Sequence, residues 1–182
     1  MSLARSSARL KPIATQLDAL IDWTGRGIAW LTIAMVLVMF TVVVLRFVLG
    51  LGWVWMQEIV NYLHAYIFMI GAAYTLRHDS HVRVDVFYRN LSSQGKARID
   101  LLGTVFLLFP VCGFIFVASW NEVITSWQSL EPSQRTDGLN FAYVLKSSML
   151  LMPGLLILQG IAIVLKNWLQ LSSPESAESN SG

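Results

Sequence analysis

A chain of 182 residues that is 55 % hydrophobic and only 13 % charged has the composition of a bilayer protein, not of a water-soluble globule. The net charge of +2 is too small to suggest nucleic-acid binding. A single cysteine, Cys112 within an apolar run, excludes a disulfide framework and a cysteine metal site.

Taken in order, residues 1–11 are rich in Ser, Ala and Arg without an apolar period, and are expected to be a disordered lead. From Pro12 the pattern changes. Ile13, Leu17, Leu20 and Ile21 share one face while Gln16, Asp18 and Asp22 take the other, which predicts an amphipathic helix over 12–24. That helix either lies on the membrane surface or docks on a partner, or it extends the first span into water.

Residues 25–170 form the membrane domain, with four spans expected at about 27–47, 57–77, 100–127 and 142–168. Gly27 to Leu45 is uncharged between Arg26 and Arg46, and the absence of a small-residue cleavage site marks an uncleaved first span. A short turn with Gly50, Gly52, Trp53 and Trp55 makes a tight antiparallel hairpin with the second span. In that span Asn61 and His64 lie inside, and Gly71, Ala72 and Ala73 permit close approach of another helix. Pro110 is expected to kink the third span. Glu131 to Asn140 reads as a polar turn, and residues 171–182 as a disordered tail.

The connection from Arg77 to Asp100 holds a third of the charged residues, five of them basic. With Arg5, Arg9, Lys11 and Arg26, these outnumber Arg46, Arg135 and Lys146 on the other side. The positive-inside rule therefore predicts an all-α integral membrane protein with both termini cytoplasmic and with Trp53, Trp55, Trp120 and Trp127 toward the outer face.

Few residues could carry chemistry. Glu58 and Arg46 flank the first hairpin and are expected to form a structural ion pair, since a lone charge in the bilayer is costly; the alternative is a proton or cation site in a small proton-coupled exporter. His64 lacks a second imidazole at similar depth, which weighs against a haem-binding anchor. His78 and His81 with Asp79 and Asp85 have no distinctive metal-ligand spacing. No nucleophile and base, phosphate loop or carboxylate pair argues for an enzyme. From His81 to Val86 polar residues alternate with Val82, Val84 and Val86, either as a loop resting on headgroups or as a subunit contact through Arg83 and Asp85.

The run Leu45-Arg46-Phe47-Val48-Leu49-Gly50, then Trp55 and Glu58, Gly71-Ala72-Ala73, Arg77, His81-Val82-Arg83-Val84-Asp85, and finally Pro153 and Gln159 resembles the small membrane subunit of the tripartite ATP-independent periplasmic (TRAP) transporters, the DctQ-type small permease. The resemblance spans roughly residues 28–169. It implies a non-catalytic scaffold in the bacterial inner membrane, partnered by a large DctM-type membrane subunit and a periplasmic DctP-type binding protein that delivers an organic acid. No cofactor is implied in this chain, and sodium is expected in the large partner. Trp53, Trp55, Gly71, His81, Arg83 and Asp85 become the subunit-interface candidates.

Overall fold

The structure is a computed structural model that describes residues 2–78 and 91–171, with side chains described from Pro12 onward except that of Ser93. Its elements are α1 (Ser2–Val48), α2 (Val54–Arg77), α3 (Ser93–Gly103), a π-helical turn (Thr104–Leu108), α4 (Phe109–Gln128) and α5 (Ala142–Leu171). The π turn joins α3 and α4 into one rod. Among the described residues four helices are long and apolar enough to cross a membrane: Pro12–Val48, Val54–Arg77, Gln94–Gln128 and Ala142–Leu171. The all-helical, four-span fold read from hydropathy is therefore the fold observed.

One local reading differs, and one left open is decided. The stretch expected to be a disordered lead belongs to α1 from Ser2 onward. Ala4, Arg5, Ala8, Arg9 and Leu10 are strong helix formers, and no Gly or Pro interrupts them before Pro12. Residues 12–24 are part of the same helix, so of the readings left open it is the extension of the first span that is found and not a separate interfacial helix, and they dock on the chain itself. Ala14, Asp18 and Ile21 are buried, whereas Ile13 and Leu20 of the expected apolar face are exposed. At Pro110 the missing N–H and the clash with the carbonyl four residues back are accommodated by the π-helical turn just upstream.

Helix α5 is the centre of the molecule. It packs against α1, α2, α3, the π turn and α4, while α1 and α2 pack on one another. Leu155 of α5 joins Ile21 of α1 and Ala73 of α2 in the buried apolar cluster. Gly160, five residues on, turns toward the rod; a Cβ there would stand 2.6 Å from both Leu108 and Phe109. The rod answers with small residues. Cys112, Ser119 and Ser126 are buried at seven-residue intervals, the spacing that keeps one stripe facing a neighbouring helix. Between α1 and α2 the closest approach is at Gly25, where a Cβ would lie 2.0 Å from the Tyr74 ring.

The antiparallel topology defines two ends. Asp18, Asp22, Arg77 and Lys166 gather at the terminal end, and the α1–α2 turn meets the α4–α5 loop at the hairpin end.

Candidate functional site

At the hairpin end the loop between α4 and α5 is folded by its own backbone. Ser133 N–H donates to the Leu139 carbonyl (3.0 Å), Gly138 N–H to Arg135 (3.1 Å) and Ala142 N–H to Glu131 (3.2 Å). Asp137 takes a left-handed φ of 63° that lets the chain reverse. Glu58 of α2, only 6 % exposed, reaches into this loop. The Ser133 hydroxyl donates to its Oε1 (2.5 Å) and the Leu139 N–H to its Oε2 (2.7 Å). Both carboxylate oxygens are thus engaged by groups 75 and 81 residues away in sequence.

The expected Arg46–Glu58 pair is not formed; among the described residues no ion pair joins them. Arg46 is exposed in the last turn of α1, where the helix dipole favours a cation, while the loop offers Glu58 two donors at closer range. Gly138 is held small by this arrangement, since a Cβ would stand 2.4 Å from Ser133 Oγ and 2.7 Å from Glu58 Oε2. Gly138→Ala is expected to lower stability by about 1–3 kcal/mol, as overpacking does, and thermal unfolding in detergent reads this directly.

A second polar knot lies beside the first. Lys146 Nζ donates to Glu122 Oε1 and Glu131 Oε2 at 2.6 Å each, and Ser126 Oγ donates to Glu131 Oε2 (2.7 Å). Trp127 Nε1 donates to Ser147 Oγ (2.8 Å), and the Tyr66 hydroxyl to the Val144 carbonyl (2.6 Å). A cleft of about 290 Å³ opens between the knots, lined by Glu58, Asn61, Tyr62, Glu131, Arg135 and Lys146 among others.

The hydrogen bonds from Lys146 and then Ser126 hold the Glu131 carboxyl below its ordinary value of 4.5. Its folded pKa is depressed, so its contribution to loop stability is complete above the unfolded value and is lost as pH falls through the lower folded value. Acidification below about pH 4 is expected to loosen this loop, read by hydrogen exchange at Glu131 to Asn140. Glu131→Gln should flatten that pH dependence.

At the terminal end three helices are clamped. Arg77 of α2 pairs with Asp22 and lies 3.7 Å from Asp18 Oδ1, while donating from its guanidinium to the Asp18 carbonyl (2.7 Å). Lys166 of α5 pairs with Asp18 Oδ2. His78 Nε2 lies 3.7 Å from Asp22 Oδ1, and its ring packs on Tyr74 with centroids 4.2 Å apart. His78 thus turns to α1, whereas Asp79, His81, Arg83 and Asp85, with the valine alternation around them, lie outside the described residues. Among the described residues no group of three His, Cys, Asp or Glu could hold a metal ion.

The remaining interface candidates lie on open surface. Trp53 and Trp55 are exposed at the α1–α2 turn. Gly71 has open space where a Cβ would stand, whereas its neighbour Ala73 is fully buried within the chain. Gly71 continues an outward stripe of α2 with Asn61, His64 and Phe68, at i, i+3, i+7 and i+10. The His64 and Phe68 rings stack with centroids 6.4 Å apart. Neither Asn61 nor His64 has a hydrogen-bond partner among the described residues. The sequence showed both polar residues inside a span, but the face they share emerges only once Ala73 is seen to point inward.

Compared with known families, residues 35–170 match the family described as tripartite ATP-independent periplasmic transporters, DctQ component. No curated protein and no solved structure matches the chain.

Proposed function

The chain belongs to the DctQ component family of the tripartite ATP-independent periplasmic transporters, and on that basis we propose that it braces a large DctM-type transport subunit through the outward face of α2. Membership makes it the small membrane subunit of such a transporter. The finer reading is sodium-coupled uptake of an organic acid, with a DctP-type protein delivering the substrate and with sodium and substrate held in the large subunit.

The observation that carries the docking assignment is His64. It is the eleventh residue of the 24 in α2, close to mid-span, and it points away from the chain's own core. An unpartnered neutral polar group in hydrocarbon costs roughly 2–7 kcal/mol, so a protein surface suits this face better than lipid. Asn61 supplies a second polar group and Gly71 a place for close helix approach. The preponderance of Lys and Arg at the terminal end supports an inner-membrane orientation with both termini cytoplasmic, in which the loop around Glu131 and Arg135 would face the periplasm.

Co-purification with the large subunit tests this. A Cβ at Gly71 would meet no described atom of this chain within 4 Å, and Gly71→Leu is expected to reduce recovery of the complex roughly tenfold, the effect of an overpacked interface worth about 1–3 kcal/mol. His64→Leu should change the recovery too. Undiminished complex with both variants would remove the α2 face from the interface. The exporter reading is less well supported, because Glu58 has both oxygens committed to the loop.

A further inference from the structure

Helix α1 carries Trp23, Arg26, Gly27, Trp30 and Leu31 at i, i+3, i+4, i+7 and i+8, one face of a helix. With Ile70 of α2 they line an open crevice of about 750 Å³, within the size range of ligand clefts. Gly27 forms its notch, because nothing lies within 4 Å of where its Cβ would be. The Trp23 and Trp30 indoles, both largely exposed, bound the notch and are separated by roughly 10 Å of helix rise. The hydroxyl of Thr24 is already spent on the Ile21 carbonyl (2.7 Å), so Arg26 is the group that gives the crevice its polarity.

Arg26 stands one turn beyond Asp22, at the start of the uncharged run 27–45. The two carboxylates nearest in sequence are already occupied: Asp18 by Lys166 and Arg77, Asp22 by Arg77 and His78. Arg26 itself has no ion pair among the described residues. A guanidinium that meets no acid among the described residues, at the hydrocarbon boundary, suits an anion from outside the chain. A phosphate diester fits its planar fork.

We propose that this crevice seats one anionic phospholipid, its phosphate on Arg26 and an acyl chain laid over Gly27 against Trp30, Leu31 and Ile70. A notch one side chain deep takes a methylene chain. A partner helix, about 10–12 Å across, would rest on the two indoles without entering. Trp23 and Trp30 suit the border between headgroup and hydrocarbon, and Arg26 lies between them.

The test is native mass spectrometry of the full-length chain in mild detergent with phosphatidylglycerol or phosphatidylcholine of identical acyl chains. The wild type should retain one phosphatidylglycerol in preference to phosphatidylcholine. Arg26→Gln should lower that retention roughly fivefold and abolish the preference, as loss of one basic residue near an anionic headgroup predicts. Gly27→Leu should reduce retention of both lipids while leaving helix content and thermal stability unchanged. Equal retention of the two lipids by the wild type, or undiminished phosphatidylglycerol in both variants, overturns the proposal. So does a Gly27→Leu chain that keeps its lipid and loses the large subunit, because the crevice would then seat a helix.

Discussion

Replacing Asp18 with Ala is expected to lower the unfolding free energy in detergent by about 2–3 kcal/mol and to free the first turns of α1 from the rest of the molecule. Removing one member of a buried ion pair costs about 3–5 kcal/mol when the other charge is left buried. The lower figure applies here because Lys166 is half-exposed and can turn to water, and because Arg77 keeps Asp22. Asp18 is 8 % exposed and touches both α2 and α5, so its loss acts on two helix contacts at once. Limited proteolysis before Gly25 should become faster. If Asp18→Ala and Lys166→Met were simply additive in thermal unfolding, the pair would not be the clamp described above.

Glu58→Ala is the second large effect, at about 3 kcal/mol. It strands the half-buried Ser133 hydroxyl and Leu139 N–H, and an unsatisfied donor costs about 1–3 kcal/mol when buried, less where water reaches it. Glu58→Gln should be milder, since the amide still offers one acceptor oxygen. Hydrogen exchange at Leu139 separates the two, with fast exchange expected in the alanine variant and partial protection in the glutamine variant. Slow exchange at Leu139 in Glu58→Ala would mean that the loop holds itself. In a complex with the large subunit, the same variant reveals whether transport depends on the ordered loop.

The membrane spans were legible because each is a long uncharged run set between charges, a property of composition alone. The polar turn at Glu131 to Asn140 was legible from Pro132, Asp137 and Gly138. What escaped was the identity of long-range partners. Sequence offered Glu58 a cation twelve positions away, whereas the fold offers it Ser133 and a backbone N–H. No side-chain pattern announces a backbone donor. Along 12–24 the apolar count favoured Ile13 and Leu20, yet Asp18 and Asp22 decide which way the helix faces, because Arg77 and Lys166 await them at the ends of two other helices. His64 was visible as a polar residue within a span, but its outward direction depends on Ala73 packing beside Ile21 and Leu155.

The central place of α5 bears on how the chain is made. Translation delivers α1 and α2 first, and their mutual contact lets that hairpin close early. The rod of α3 and α4 follows, and the stripe of Cys112, Ser119 and Ser126 that it turns inward finds its main partner in α5. Until the ribosome has released the segment from Ala142 to Leu171, that stripe faces lipid. A nonsense codon or ribosome stall anywhere before Ala142 therefore leaves three inserted but unassembled spans, a substrate for membrane proteases instead of a shortened subunit.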